Sequence, residues 1–577
     1  MDFEKKISLL NKKTVNYLKI ILLLLIFLLG SNIISKTDTK FQSDTSGSIT
    51  NDNTGSSIYP KLSQLTGYKV DFKGYIGGNL SDSAKGVVVD QNENIYVVGD
   101  TYSFGFPTKN AWNATFGGLT DVFVAKFSQD GNLLWSTFFG GSNYDIATGI
   151  ALDSYNNVII SGYTKSTNFP LLNGYQSQNL GSYDGFLAKF TTDGKLLFST
   201  YIGGSNNEFA EGVTVNNQNE IFIVGDTAST DFPLKNPWYS STFTGTEMIF
   251  ISKYDSQGVL ISNTLIGGNN IDAPYCITSD SNGNIYIAGE TNSADFPVVN
   301  GYQNTLNGSY DGFISEFNST GHLVFSTYLG GSNTDLIYGI AVQSNNIDVV
   351  GYTGSSNFPT KNAFNATYGG GIYDAFVTQI TNNGEINFSS YFSGSTADLA
   401  FSISVDSNGN LYISGETDST DLPIKDGLQN TIGGYLDMFI AKVSPTGTLI
   451  FNTYLGGIYD DTGQSITVTP HNNIIVFGSV ASNGLGSSNA YYTNSSGGGD
   501  AFMIKLTDLN TPQPTSSTTT SQSSQGASGT TTVTVTESGS GSGALDSQIL
   551  SNPIFSGVTV VMVLVLLLNT VLIFRKK

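Results

Sequence analysis

The chain has 577 residues, 66 of them glycine, and a formal charge of −21. A single cysteine and two histidines exclude an intrachain disulfide framework, a Cys-cluster zinc site and most His-based metal or acid–base chemistry. The acidity argues against nucleic acid held through its phosphates.

At the start, Lys5, Lys6, Lys12, Lys13 and Lys19 precede the apolar run Ile20 to Leu29, and Gly30 and Ser31 follow. This order makes 1–35 a signal peptide or an uncleaved signal anchor. Residues 36–65 are polar and form a disordered lead-in.

A repeat fills 66–507. The second glycine of a recurring pair falls at Gly78, Gly141, Gly204, Gly268, Gly331, Gly394 and Gly457, in steps of 63 or 64 residues. Ser393 replaces the first glycine of one pair. Each unit carries four short β-branched or aromatic runs bounded by Gly and Asn, such as Gly149–Leu152, Ile285–Gly289, Asp311–Phe317 and Leu323–Tyr328. A loop of roughly twenty residues separates the second run from the third. Seven such units without helices predict an all-β, seven-bladed β-propeller of four-stranded blades. The last unit stops at Leu506 without a fourth strand, and Tyr68–Tyr75 supplies one ahead of the first glycine pair. A ring closed by the N-terminal strand accounts for both ends. A solenoid would need caps.

Beyond the repeat, 508–550 is rich in Ser, Thr and Gly and forms a stalk. Residues 551–577 hold the apolar run Ile554 to Phe574, followed by Arg575, Lys576 and Lys577. That pattern predicts a transmembrane helix with its basic end in the cytoplasm, and so an exterior propeller.

The stretches "YLGGSNTDLIYGIAV", "DSNGNIYIAGET", "NFPTKNAF" and "DAFVTQI" resemble the SBBP-type β-propeller repeat of bacterial and archaeal surface proteins, over about Gly67 to Leu506. The resemblance implies a seven-bladed propeller; it does not imply an enzymatic activity.

Four residues past each ruler glycine stands a carboxylate: Asp82, Asp145, Glu208, Asp272, Asp335, Asp398 and Asp461. These are expected to ring one mouth of the axial channel, on the face that carries the long loops. Two readings stand. They brace the glycine turn by accepting backbone N–H bonds, or they bind Ca²⁺, which takes several carboxylate oxygens. A second set opens the third strand: Asp121, Asp184, Asp311, Asp374, Asp437 and Asp500, with Met248 in the third unit. Eight past the ruler, Gly86, Gly149, Gly212, Cys276, Gly339, Ser402 and Ser465 are all small, which is expected where innermost strands begin and blades crowd. Cys276 then serves packing. His322 and His471 fall in tight turns on the opposite face.

In the long loops, Phe106, Phe169, Phe232, Phe296, Phe358 and Leu422 precede prolines and are expected to pin the loops. Trp112 and Trp238 are candidates for stacking on sugars. N-glycosylation sequons occur at Asn79, Asn113, Asn307, Asn318, Asn365, Asn387 and Asn494. No catalytic constellation is legible, and no cofactor is required. The expected function is a membrane-anchored cell-surface module that binds a protein or glycan partner through its acidic long-loop face. The alternatives are a structural, glycosylated envelope component and a carbohydrate-active hydrolase using an Asp/Glu pair.

Overall fold

The computed structural model describes residues 67–510, except 241, 244, 488–493 and 496. The expected signal segment, the lead-in, the stalk past 510 and the C-terminal anchor lie outside the described residues. Among the described residues no helix is long and apolar enough to cross a membrane.

The described chain is a ring of seven antiparallel four-stranded sheets. Blade 1 comprises β2 (Asp82–Val89), β3 (Ile95–Thr101), β4 (Asp121–Phe127) and β5 (Leu133–Phe139), from the axis outward. The innermost strands of blades 2 to 7 are β6 (Asp145–Leu152), β10 (Glu208–Val215), β14 (Asp272–Ser279), β18 (Asp335–Gln343), β22 (Asp398–Val405) and β26 (Asp461–Val468). Blade 7 continues through β27 (Ile474–Val480) to β28 (Asp500–Asp508). Its fourth strand is β1 (Tyr68–Ile76), antiparallel to β28 with Tyr75 opposite Phe502. The N-terminal strand thus closes the ring, and β2 packs on β26 as it does on β6.

The core lies between blades. Phe123, Phe127, Phe138 and Val97 of blade 1 pack on Phe72, Ile475, Phe477 and Met503 of blade 7 in one continuous cluster. Each sheet is buried on both faces, so its middle strands read as near-continuous apolar runs such as Ile-Tyr-Val-Val. Tight first-to-second-strand turns cover one end. Glu93, Asn156, Asn219, Ser344 and Asn472 occupy the left-handed position there. Asn suits that position because its short polar side chain bonds locally.

Glu93 does more than turn the chain. It is 3% exposed and reaches from blade 1 into blade 7. His471 Nδ1 lies 2.9 Å from one carboxylate oxygen, and Lys505 Nζ and Asn473 Nδ2 lie 3.2 and 3.1 Å from the other. Burial pushes this carboxyl up, but bonds from Thr469, His471 and Lys505 outweigh it and hold it below its usual range. Glu93 therefore locks the seam between blades 1 and 7. Glu93→Gln keeps the shape but loses the charge opposite a buried ammonium. We expect it to lower unfolding free energy by about 1–3 kcal/mol in urea titrations of the full-length chain.

Candidate ligand site in the axial channel

All seven ruler-plus-four carboxylates open an innermost strand, and all seven are 0–1% exposed. Each accepts the N–H of its own ruler glycine at 2.7 Å. In six blades a buried threonine hydroxyl (Thr101, Thr164, Thr227, Thr291, Thr353, Thr417) donates to it as well. A serine two residues further on adds a bond of 2.9–3.0 Å in five blades. Val480 replaces the threonine in blade 7, where the Ser482 N–H donates instead at 3.2 Å. These side chains turn into the joint, so they do not ring the channel mouth as expected from the sequence. Their oxygens are occupied by local donors, and the seven are spread over seven joints. Among the described residues no group of three or more His, Cys, Asp or Glu is placed to hold a metal ion.

The glycine pair follows from the same crowding. A Cβ on Gly77 would meet Asp500 at 2.5 Å and Asp82 at 2.7 Å, and one on Gly330 would meet Asp311 and Asp335 at 2.7 and 2.8 Å. Where Ser393 takes this place, its hydroxyl donates to Asp374 at 2.8 Å. A Cβ on the ruler glycine Gly331 would meet the Ser355 Cβ at 2.5 Å. The aromatic before the pair fastens the long loop: Tyr328 Oη donates to the Ser293 carbonyl at 2.6 Å and accepts the Phe296 N–H at 3.1 Å. Phe106, Phe169, Phe232, Phe296, Phe358 and Leu422 are all buried and hold the loops to the blade edges.

The residues that face the axis are different ones. In six innermost strands the register slips by one residue in mid-strand, between Ala84 and Gly86, Ala147 and Gly149, Ala210 and Gly212, Pro274 and Cys276, Ile337 and Gly339, and Ala400 and Ser402. In blade 7 the slip lies between Thr462 and Ser465. A bulge leaves its extra residue unpaired and re-aims the side chain. The bulged residues are Lys85, Thr148, Glu211, Tyr275, Tyr338, Phe401 and Gln464, and all seven are half-buried. Five of them, Lys85, Glu211, Tyr275, Tyr338 and Phe401, interact with one another around the axis. Tyr275 and Tyr338 of neighbouring blades stack at 4.5 Å, and Phe401 of the next blade meets Tyr338 edge-on at 5.8 Å. Lys85 and Tyr338 both interact electrostatically with Glu211, two blades away from each. The small residues eight past the ruler therefore sit just after the bulge, not at the start of the strand. They are small because the next blade is close: a Cβ on Gly86 would lie 2.7 Å from Ile150.

A second set of side chains, mixed carboxylates and tyrosines with one serine, stands beside the bulges, one residue before the end of each second strand: Asp100, Tyr163, Asp226, Glu290, Tyr352, Glu416 and Ser479. Asp100 faces Lys85 Nζ at 3.4 Å. Tyr275 Oη donates to Glu290 at 2.7 Å. Burial pushes the Glu211 carboxyl up to about 7, with Lys85 pulling it back. Asp226 is held well above the usual carboxylate range by burial and by the nearby charges of Glu211 and Glu247. Glu416 is pushed up to about 7 by burial and by Asp460 and Asp418. At the other end the channel opens as a bowl of about 600 Å³ walled by Val88, Leu152, Val213, Val215, Val405 and Val468 among others.

The remaining sequence candidates lie away from the axis. Trp238 packs over the Gly321 turn of the next blade and lines a small cavity of about 120 Å³. Trp112 is 41% exposed, set edge-on to Phe139. The Cys276 Sγ lies 3.6 Å from the Ala288 carbonyl, and burial pushes the thiol up, away from nucleophile chemistry. Among the sequons, Asn79, Asn307 and Asn494 are exposed, and Asn113, Asn318 and Asn365 are half-buried. Asn387 is exposed on β21 (Ile386–Phe392), but its sequon partner Ser389 is fully buried and donates to the Pro359 carbonyl.

The repeat is matched by a known family model. The family model described as "Beta-propeller repeat" (SBBP) matches residues 72–107, 134–170, 264–297 and 387–423. The chain is 25% identical over 272 residues to the regulatory protein FlaEY of Caulobacter vibrioides, covering 42% of this chain and 27% of that one. It is 28% identical over 153 residues to an uncharacterized WD repeat-containing protein of Acanthamoeba polyphaga mimivirus, covering 24% and 11%. It thus spans less than a third of either curated relative. Similar solved structures include the gluconolactonase XC5397 of Xanthomonas campestris, with 12% identity, 62% of this chain, 86% of that chain and a TM-score of 0.30. Another is a catalytically inactive virginiamycin B lyase of Staphylococcus aureus with quinupristin, with 11% identity, 76% and 99% coverage and a TM-score of 0.36. The chain is a seven-bladed β-propeller that carries the SBBP β-propeller repeat at four positions.

Proposed function

We propose that the protein is a non-catalytic binding module of the cell surface. In this reading the C-terminal segment anchors it in the membrane, the Ser/Thr-rich stalk raises the propeller outside the cell, and the ligand enters the channel from the long-loop face. One observation carries the reading. Joints, cores and turns repeat from blade to blade, yet the seven bulges present Lys85, Thr148, Glu211, Tyr275, Tyr338, Phe401 and Gln464. Folding alone asks each copy for the same residue. Six residue types among seven copies of one aligned position serve recognition, and rigid strands hold them in place.

An array of glycans and small metabolites, probed with the full-length chain in detergent, tests this. At least one ligand should bind the wild type, and its signal should disappear with Tyr338→Ala while the thermal midpoint stays close to that of the wild type. Signals that all survive Tyr338→Ala, or no signal at all, would overturn the channel as the binding site.

A further inference from the structure

We infer that the channel ligand carries a protonated primary amine on a small organic body, seated between Glu211, Asp226 and the ring of Tyr275. The inference rests on the binding reading above and names its ligand class. Two observations point the same way.

The first is a buried carboxyl with no hydrogen-bond partner among the described residues. Asp226 is 8% exposed and receives no hydrogen bond from the side chain or backbone of any other described residue. Its charged neighbours Glu211, Glu247 and Glu208 are all acidic. Glu211 also receives no hydrogen bond among the described residues, and its one basic neighbour, Lys85, is engaged with Asp100. Buried carboxylates are retained where a donor satisfies them. An ammonium group brings three N–H donors and a positive charge that favours the ionised form of both carboxyls.

The second is the wall beside them. Glu211, Tyr275 and Tyr338 are the bulged residues of consecutive blades. Tyr338 covers one face of Tyr275 at 4.5 Å and 6°, and Tyr352 continues the stack at 5.3 Å. Ring order leaves the other side of Tyr275 toward blade 3, where Glu211 and Asp226 stand. An aromatic face next to carboxylates attracts an organic cation and covers its carbon skeleton. A bare divalent cation fits less well, because it needs several oxygens gathered at one point, and no such group occurs among the described residues.

Isothermal titration of the full-length chain in detergent with putrescine, glucosamine and choline tests the inference. Putrescine or glucosamine should bind saturably, and the two arms separate an aliphatic from a sugar skeleton. Choline, which has no N–H, should bind about tenfold or more weakly. Glu211→Gln and Asp226→Asn should each weaken binding about tenfold or more. Thr148→Lys, which places a resident ammonium on the bulge next to Glu211, should abolish it. All three variants either remove a buried charge or supply its partner, so they should fold, and their thermal midpoints check this. Choline binding as tightly as putrescine, or amine binding that survives these variants, would overturn the inference. So would the absence of binding by any of the three probes. In that last case an array ligand lost in Tyr338→Ala would still uphold the channel as the binding site, so the two readings fail separately.

Discussion

Asp335→Ala is expected to cost the propeller about 3–6 kcal/mol, because it strands three buried donors at about 1–3 kcal/mol each, less what partial relaxation recovers. The donors are the Gly331 N–H, the Thr353 hydroxyl and the Ser355 hydroxyl, and all three aim at this one carboxylate. A Cβ on Gly331 would meet the Ser355 Cβ at 2.5 Å and Asn357 Oδ1 at 2.7 Å, so the joint has little room to rearrange around the freed N–H. Thr353 ends β19 (Asn346–Thr353) and lies opposite Asp335 in the sheet register, so losing the carboxylate also frays that strand end. Asp335→Asn should cost less, since its oxygen still accepts one or two of the three bonds while its amide group meets a donor. A urea melt of the full-length chain, followed by near-ultraviolet circular dichroism, ranks the variants as wild type, Asn, then Ala. Equal stability of Ala and wild type would refute the brace.

That joint was legible in the sequence because it repeats. Tyr, Gly, Gly and Asp recur at steps of 63 or 64 residues in an order that only a shared structural task explains. The closing strand was legible too: Tyr68–Tyr75 has the composition of the outer strands, and the last unit lacks one. The direction of the carboxylates was not. Sequence spacing places Asp82 at the start of a strand near the channel, but whether it points to the axis or to the joint depends on which donors surround it. Thr101 and Ser103, nineteen and twenty-one residues away, decide that. The bulge was missed for a related reason. Its extra residue appears only when two strands are laid in register. A trace was present all the same. The buried pattern Asp82, Ala84, Gly86 has a period of two and then shifts to Val87, and the position just before Gly86 carries six residue types in seven copies. Trp112 and Trp238 drew attention by size, yet Trp238 is used to cover the Gly321 turn.

Lowering the pH from 8 to 5 is expected to stabilise the propeller. The joints hold carboxylates in pairs, one from the third strand of a blade and one from the innermost strand of the next, such as Asp121 with Asp145 and Asp437 with Asp461. Burial is the largest cause in each case, and it pushes Asp121 up to about 6 and Asp145 and Asp437 up to about 7. Asp335 rises to about 6 and Asp398 to about 7 for the same reason. In the unfolded chain these groups titrate near 3.8. The folded state therefore binds more protons than the unfolded one between pH 4 and 7, roughly. The stability gained in this way is fully present below the unfolded value and is lost as pH rises through about 6 to 7. Each extra proton held by the folded state is worth about 1.4 kcal/mol per pH unit in that window. Glu93 and Asp153 act in the opposite sense, since their carboxyls are held low, but their loss falls below pH 5. The thermal midpoint should thus rise by about 5 °C or more between pH 8 and pH 5. Surface charge repulsion would give the same sign, but salt screens exposed charges and leaves buried pairs largely untouched. The profile should therefore persist in 0.5 M salt, roughly three times the physiological level, and Asp437→Asn should flatten it by about one proton. A midpoint that falls on acidification, or a rise abolished by salt, would show that the joints do not hold their protons.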